Sequence, residues 1–328
     1  MKLDRTVGVI AAFFAVFAFA NILFAQSPTY RVSTPYTYKN LSIFLIHGKD
    51  ASTKDNVITL QEAMERKLFR VYETGDVRCM CFTRNCRVGR QSCIDTRHPD
   101  RIVMNYPKMM LGALFVNPRP QSVLIVGLGG GTLPRALRQL LPDARIDVVE
   151  IDPAVERVAS RYFGFEASDR THVIESDGRV YVKRALRGTQ RYDLIMLDAF
   201  DHEYIPEHLL TQEFLQEVKS LLAPNGVLAA NTFSSSGLYE HESVTYEKVF
   251  EKFFNLKREN RVIVTRLGPL PDREQLQAVS QQFVAAFNKY GFDAAELLPL
   301  FTTERDWNPN ARVLTDQYSP ANLLNLEH

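Results

Sequence analysis

Hydrophobic and polar positions follow two different patterns along this chain, and the pattern changes near Ser122. Downstream of that residue, short runs rich in β-branched residues alternate with segments of helical periodicity. Such alternation is typical of a parallel sheet with helices packed on both faces, so an α/β fold is predicted. The predicted strands are Val123–Val126, Ile146–Ile151, Thr171–Glu175, Asp193–Leu197 and Gly226–Thr232, and the predicted helices are Thr132–Leu141, Pro153–Phe163, Val180–Leu186 and Glu207–Leu222.

Upstream of this pattern, the sequence predicts a small lobe that is mostly β. Strand patterns occur at Leu41–Ile46, Lys67–Tyr72 and Val77–Phe82. The preceding stretch is rich in Ser, Thr, Tyr and Pro, which favours an extended linker. The predicted organisation is an N-terminal segment (1–25), a linker (26–40), the β lobe (41–105) and the α/β domain (106–328).

The N-terminal segment departs from the pattern of a soluble globular chain. Lys2 and Arg5 precede an uncharged run from Thr6 to Ala25. This run is long for the apolar part of a cleaved signal and just long enough to cross a bilayer. A membrane anchor, a cleaved export signal and a buried core helix are the three interpretations. In the first two, the basic flank stays in the cytoplasm and the rest of the chain lies outside it, at the bacterial inner membrane or in the periplasm.

The cysteines agree with export. All four of them, Cys79, Cys81, Cys86 and Cys93, fall within one short stretch. An oxidising compartment favours two disulfides, and four cysteines allow three pairings that sequence does not distinguish. Free thiols and a structural zinc site are the alternatives, although the spacing lacks the paired C-x2-C of common zinc modules.

Overall charge excludes one class of function. The 328 residues include 39 Lys and Arg against 38 Asp and Glu, a formal net charge of +1. A nearly neutral chain has no general field that attracts nucleic acid or an anionic membrane surface. A nucleic-acid partner is therefore not expected.

Three successive strand ends carry residues that suit a nucleoside. The first strand runs into a glycine loop at Gly127–Gly131, where the backbone turns tightly and approaches a ligand closely. Glu150 lies near the end of the second strand, where a carboxylate can accept hydrogen bonds from both ribose hydroxyls. Asp177 follows the third strand, where a carboxylate accepts from an adenine amino group. Because the loop is not the G-x-G-x-x-G of dinucleotide sites, S-adenosylmethionine or its decarboxylated form is favoured over NAD.

The fourth predicted strand ends in two more acids, Asp198 and Asp201. Ligands bind at the carboxyl edge of open α/β sheets, so both acids are expected to face the reacting centre. Three histidines beside acids, His202, His208 and His241, match no metal-binding helix motif, and no metal site is predicted.

With these residues, the block Tyr106–Phe233 resembles the polyamine aminopropyltransferases, or spermidine synthases. In that family a glycine loop, an acid after the second strand, an Asp-Gly like Asp177-Gly178, and an Asp-x-x-Asp after the fourth strand recur in this order. The resemblance implies a Rossmann-like class I S-adenosylmethionine-dependent transferase fold, with decarboxylated S-adenosylmethionine or S-adenosylmethionine as co-substrate. It also allows for a homodimer.

The resemblance implies roles for individual residues. Asp198 would be the base that deprotonates the attacking amine, Asp201 the gate-loop residue that holds the polyamine, and Tyr106 the active-site tyrosine. Gln91 would be a substrate-side glutamine. The residues implied to bind the co-substrate are Gln91, Gly127, Gly129, Gly131, Glu150, Asp177 and Gly178.

The chain also departs from the family pattern. The family's glycine loop carries an acid that helps to hold the aminopropyl donor, and this loop has none. Pro107 and His202 replace a glutamine and a proline of the family motifs. Ile205–Thr211 and Val313–Pro320 resemble instead the membrane-associated, spermidine-synthase-like branch.

Three functions follow from these observations. The leading hypothesis is aminopropyl transfer from decarboxylated S-adenosylmethionine to a polyamine such as putrescine. A methyltransferase that uses intact S-adenosylmethionine shares every nucleoside contact and is the first alternative. A non-catalytic nucleoside-binding protein is the second, since the loop acid is missing.

Overall fold

The computed structural model describes residues 30–38, 41–48, 70–81, 90–199, 206–234 and 237–324. Twelve strands are described: β1 (Tyr30–Tyr38), β2 (Leu41–Gly48), β3 (Arg70–Thr74), β4 (Val77–Cys81), β5 (Arg90–Asp95), β6 (Ser122–Val126), β7 (Arg145–Glu150), β8 (Thr171–Glu175), β9 (Tyr192–Leu197), β10 (Leu222–Thr232), β11 (Phe254–Lys257) and β12 (Arg261–Arg266).

Of the described helices, one precedes β6, five lie between consecutive strands from β6 to β11, and three follow β12. The α-helices are α1 (Asn105–Leu111), α2 (Thr132–Leu140), α3 (Pro153–Phe163), α4 (Gly178–Ala185), α5 (Gln212–Leu221), α6 (Gly237–Phe250), α7 (Arg273–Ser280), α8 (Val284–Lys289) and α9 (Ala321–Leu324). Short 3-10 turns lie at Gly112–Phe115, Glu207–Leu209, Gln281–Phe283, Ala294–Glu296 and Leu298–Leu300.

The centre of the fold is a seven-stranded sheet in the order β11-β12-β10-β9-β6-β7-β8. The five strands from β10 to β8 run parallel, and β12 and β11 add to one edge in antiparallel pairing. This arrangement confirms the predicted α/β fold. Chain order reverses between β6 and β9, and ligands of open α/β sheets bind at the carboxyl ends of the strands beside such a reversal.

Strand β6 shows why its sequence is a continuous apolar run. Val123 and Ile125 pack into the core on one face of the sheet, and Leu124 and Val126 into the core on the other. All four side chains are at most 2% exposed. Burying one such side chain contributes about 1.5–3 kcal/mol, so β6 anchors both helical layers.

The predicted helix over Glu207–Leu222 is wrong at both ends. A 3-10 turn occupies Glu207–Leu209, and α5 begins at Gln212 because the side chain of Thr211 accepts a hydrogen bond from the backbone N–H of Phe214 at 3.2 Å. Such a cap starts a helix at the following residue. At the other end, Leu222 already belongs to β10.

The small lobe contains two antiparallel sheets, one of β3, β4 and β5 and one of β1 and β2. Within the stretch predicted as a linker, Tyr30–Tyr38 pairs with β2, and its register shifts between Ser33 and Tyr36. Pro35 falls at this irregularity, as expected for a residue without a backbone N–H.

A disulfide joins Cys79 of β4 to Cys93 of β5, directly across the pairing of the two strands. Cys81 is disulfide-bonded as well. The structure thus has disulfide bonding in this stretch, as the sequence favoured, and Cys86 lies outside the described residues.

The predicted membrane segment comprises residues 1–25, which the structure does not describe. In the described part of the chain, no helix is both long and apolar enough to cross a bilayer. The apolar run at residues 6–25 lies outside that part, so its role stays a prediction.

Candidate active site

The glycine loop after β6 is shaped by close backbone contacts. Gly127 has a φ of +100°, and a Cβ atom there would lie 2.1 Å from the carbonyl oxygen of Asp198. Gly131 has a φ of +74° and immediately precedes α2. Only glycine meets both demands, a left-handed backbone and no side chain, so the loop can lie directly against the end of β9.

Ser92 of β5 links the small lobe to this loop by a hydrogen bond. Its Oγ accepts a hydrogen bond of 2.8 Å from the backbone N–H of Gly130. A Cβ atom on Gly129 would lie 2.7 Å from the same oxygen. The small lobe therefore packs against the glycine loop through β5, the strand that also carries Gln91, whose predicted role stays a prediction.

Glu150 ends β7 and lies against the glycine loop. Its Oε2 accepts from the backbone N–H of Leu128 in the glycine loop at 3.0 Å, and its Oε1 from that of Asp152 at 3.1 Å. Burial raises the pKa of Glu150, and these two N–H donors oppose the rise. The carboxylate is thus held in one orientation, with further lone pairs for ribose hydroxyls.

Asp177 caps α4, because its Oδ1 accepts from the backbone N–H of Val180 at 2.9 Å. Its Oδ2 lies 2.8 Å from Nε2 of His208, a contact that the sequence analysis missed. Burial opposes ionisation of Asp177, but the hydrogen bonds from Val180 and His208 outweigh it and hold its pKa below the ordinary value. Gly178 brings α4 close to β6, since a Cβ atom there would lie 2.6 Å from Val126.

Two exposed apolar side chains flank these carboxylates. Ile151 follows Glu150 and is 67% exposed, and Val180, three residues after Asp177, is 59% exposed. Among the described residues, only Leu323 is a comparably exposed large apolar side chain. Apolar surface beside hydrogen-bonding groups suits a purine ring. The sequence signal for Ile151 was an apolar residue directly after an acid.

Asp198 follows β9 and lies beside the glycine loop, with its backbone N–H donating to Val126 at 2.8 Å. Burial raises the pKa of its carboxyl to about 7, although hydrogen bonds from Asn231 and Tyr106 oppose the rise. A carboxyl group with a pKa near neutrality suits proton transfer at that pH. Perturbation by burial beside a ligand site is also a mark of functional groups.

Tyr106, near the start of α1, meets Asp198. Its hydroxyl bonds to the Asp198 carboxylate and receives a hydrogen bond from Ser92. The same hydroxyl lies 3.3 Å from the carbonyl oxygen of Gln91. Burial and the neighbouring Asp198 raise the pKa of Tyr106 well above its ordinary value, so the phenol stays protonated and donates.

On the other side of Asp198, Asn231 at the end of β10 donates from Nδ2 to Oδ1 at 2.9 Å. Nδ2 of Asn260 lies 3.3 Å from Oδ1 of Asn231 and orients the amide. Next along β10, Thr232 accepts from Nε of the fully buried Arg261, which pairs with Glu242 at 2.9 Å. This buried pair fixes the strand end that carries Asn231.

The structure thus brings together Tyr106, the glycine loop, Glu150, Asp177 and Asp198 at the carboxyl edge of the sheet. Asp201 and His202 lie outside the described residues, so their roles stay predictions. Within the described ranges, no three His, Cys, Asp or Glu side chains form a group that could hold a metal ion.

Comparison with known proteins agrees with this geometry. The profile of the spermine/spermidine synthase domain matches residues 104–267. A second profile, of the ARG and Rhodanese-Phosphatase-superfamily-associated Protein domain, matches residues 29–87. The polyamine aminopropyltransferase of Vibrio vulnificus (strain CMCP6) is 48% identical over 259 residues, which cover 77% of this chain and 87% of that protein.

Solved structures share the fold. A probable spermidine synthase from Corynebacterium glutamicum ATCC 13032 superposes with a TM-score of 0.60 at 16% identity, over 80% of this chain and 97% of that one. Human methyltransferase-like protein 13 in complex with SAH gives a TM-score of 0.50 at 28% identity, over 67% of this chain and 100% of that one. From the profile match and the 48% identical relative, the chain belongs to the spermine/spermidine synthase family, the polyamine aminopropyltransferases, and is a transferase.

Proposed function

We propose that this enzyme transfers the aminopropyl group of decarboxylated S-adenosylmethionine to a primary amine of a small polyamine such as putrescine, with Asp198 as the base. The observation that carries the proposal is the Asp198 carboxyl, which has a pKa of about 7 and lies between Tyr106, Asn231 and the glycine loop.

The reaction needs a free amine. A primary alkylamine has a pKa near that of lysine, so at neutral pH it enters as the ammonium form. Asp198 takes one proton from this ammonium, and the freed lone pair attacks the methylene carbon bonded to the sulfonium sulfur of the donor. The C–N bond forms while the C–S bond breaks, and its electron pair passes to sulfur. Methylthioadenosine leaves as a neutral thioether, the product leaves as a secondary ammonium, and Asp198 returns its proton to solvent.

Positioning supplies the rest of the catalysis. Holding two reactants in line removes much of the entropic barrier of a bimolecular step. The donor's adenosyl part would be held by Glu150 at the ribose and Asp177 at the adenine, and Tyr106 and Asn231 keep the base in place. Gln91 and Asp201 would contact the substrate amine or the donor tail.

The test is an assay of purified protein with each donor and a panel of diamines, with products identified by mass spectrometry. Methylthioadenosine together with an aminopropylated amine is the expected result with decarboxylated S-adenosylmethionine. S-adenosylhomocysteine with a methylated acceptor, formed only from S-adenosylmethionine, would contradict the proposal.

Methyl transfer is the second candidate function. The observation in its favour is the 28% identity to human methyltransferase-like protein 13, whose structure contains SAH, together with a glycine loop that has no acid. Aminopropyl transfer remains the better proposal because the polyamine aminopropyltransferase relative is 48% identical and is covered over 87% of its length.

We further propose that the enzyme acts outside the cytoplasm, attached to the membrane through residues 1–25 or released from it. The Cys79–Cys93 disulfide supports this compartment, because disulfides persist in oxidising environments. The basic flank of Lys2 and Arg5 before the apolar run sets the orientation. A homodimer is part of the same proposal.

A further inference from the structure

Two sequence segments that the catalytic roles leave unexplained meet in the structure through their described residues, 206–211 and 313–320. Oγ1 of Thr211 donates to Oδ1 of Asp316 at 2.7 Å. Oγ of Ser319 donates to the carbonyl oxygen of Glu207 at 2.9 Å. Residues 313–320, called the tail strap below, therefore bind the turn at Glu207–Leu209 that follows the predicted gate loop.

Arg179 connects the tail strap to the nucleoside site. It lies in the first turn of α4, two residues after Asp177, and is 8% exposed. Its Nη1 and Nη2 donate to the two carboxylate oxygens of Asp316 at 2.6 and 2.8 Å, and Nη1 also donates to the carbonyl oxygen of His208 at 3.3 Å. Such a bidentate arginine–carboxylate pair is strong and directional. Glu217 holds the other edge of the guanidinium at 3.0 Å.

The backbone of His208 is therefore fixed, and its ring points to Asp177. Nε2 of His208 lies 2.8 Å from Oδ2 of Asp177, whose other oxygen accepts from Val180. An ionised carboxylate only accepts, so Nε2 carries the hydrogen and donates. Both oxygens of Asp177 are thus engaged in one orientation, and each keeps a second lone pair for another donor.

We infer that His208, together with the tail strap, positions Asp177 to accept a hydrogen bond from the amino group of a purine. This inference rests on the proposed function, in which Asp177 recognises adenine. The strap acts through Arg179 and Asp316, which hold His208 against the Asp177 carboxylate. Because this device touches the adenosyl end of the donor and not the reacting carbon, it sets donor affinity and leaves the chemical step unchanged.

The test measures binding of methylthioadenosine by calorimetry, with donor KM and kcat measured in parallel. His208→Ala should weaken binding about three- to tenfold, the effect of one hydrogen bond, and raise donor KM by the same factor at unchanged kcat. His208→Gln keeps an N–H donor and should recover affinity to within about twofold. His172→Ala is the matched control. The His172 imidazole also pairs with an aspartate, Asp147, and the side chain is 39% exposed against 45% for His208. His172 lies near the start of β8, away from the carboxyl ends of the strands.

Asp316→Asn tests the strap. If Asp316 acts through His208, the double variant His208→Ala/Asp316→Asn binds no more weakly than His208→Ala alone, because the two changes break one chain of contacts. Additive losses would overturn the coupling. The two His208 variants keep the test decisive even if Asp316→Asn proves unstable, because the His208 ring is partly exposed.

Glu150→Gln separates this inference from the proposed function. Wild-type affinity in His208→Ala beside weakened binding in Glu150→Gln overturns the role of His208 and leaves the nucleoside site standing. Unchanged affinity in Glu150→Gln as well, or no binding by the wild type, overturns the nucleoside site itself.

Discussion

The amide of Asn231 donates a hydrogen bond of 2.9 Å to the carboxylate of Asp198. The donor comes from the end of β10 and the acceptor from the end of β9, two neighbouring parallel strands. The contact favours the ionised form of a carboxyl whose burial favours the protonated form, and the balance raises its pKa to about 7. Residues at two adjacent strand ends thus set the pKa of the Asp198 carboxyl near neutral pH.

The first prediction concerns this tuning. Because Asp198 must be ionised to take a proton, kcat/KM for the amine should be about tenfold lower at pH 6 than at pH 8. Asn231→Ala removes a donor that stabilises the ionised form, so its pH profile should lie at higher pH than that of the wild type. The amine titrates identically in both assays, so the difference between the two profiles reports on the enzyme. A variant profile that coincides with the wild type, or lies at lower pH, contradicts the role of Asn231.

The second prediction concerns stability. The folded-state pKa of Asp198, about 7, lies above its ordinary value of 3.8, so the folded state binds more protons. Its contribution to the free energy of unfolding is therefore lost as pH rises between these values, and the loss is complete above about pH 7. Because one pKa unit corresponds to about 1.4 kcal/mol, the stability of Asp198→Asn relative to the wild type should be about 2–3 kcal/mol greater at pH 8 than at pH 5. Urea unfolding at both pH values checks this, and an advantage that is equal at both, or absent, contradicts the pKa assignment.

The third prediction concerns the small lobe. The Cys79–Cys93 disulfide closes a loop with a sequence separation of 14. Closing a loop of this size contributes about 3 kcal/mol by restricting the unfolded chain. Replacing both cysteines by serine should therefore lower the free energy of unfolding by about that amount. Non-reducing peptide mapping of protein from its native compartment should recover the linked pair, and four alkylatable thiols would reject the disulfide.

The fourth prediction concerns the compartment. Alkaline phosphatase, which is active only outside the bacterial cytoplasm, should be active when fused after His328. A fluorescent cytoplasmic reporter at the same position serves as the control and should be dark. The reverse pair of results rejects the proposed topology.

The sequence was most informative where both faces of the sheet are buried. β6 and its glycine loop were predicted almost to the residue, because a strand covered on both faces must be a continuous apolar run and the close approach of the loop to Asp198 requires glycine. Carboxyl ends of parallel strands meet at one edge, so the shared position of Glu150, Asp177 and Asp198 also followed from the pattern.

The polar partners of these acids could not be predicted in the same way. Ser92 contacts a loop residue 38 positions away, Asn231 an acid 33 positions away, and His208 an acid 31 positions away. A single polar residue carries no periodic signal, and its role depends on which elements pack together. The strands β11 and β12 were missed for a different reason: the apolar run Val262-Ile-Val264 was visible but stood outside the parallel pattern.

The most direct test of the account compares two carboxylates with different roles. Glu150→Gln should weaken binding of methylthioadenosine about ten- to hundredfold, because it loses a charge-assisted hydrogen bond to the ribose. Asp198→Asn keeps the shape of the side chain but cannot take a proton, so kcat should fall about 10²–10⁴-fold while affinity for methylthioadenosine stays near that of the wild type.

The decisive measurement is the rate of methylthioadenosine formation by Asp198→Asn at a concentration of decarboxylated S-adenosylmethionine that saturates it, with occupancy verified by calorimetry. The expected result is a fully occupied enzyme with almost no turnover. Wild-type turnover in this variant, or a loss of ligand affinity as severe as that of Glu150→Gln, would contradict the assignment of Asp198 as the base.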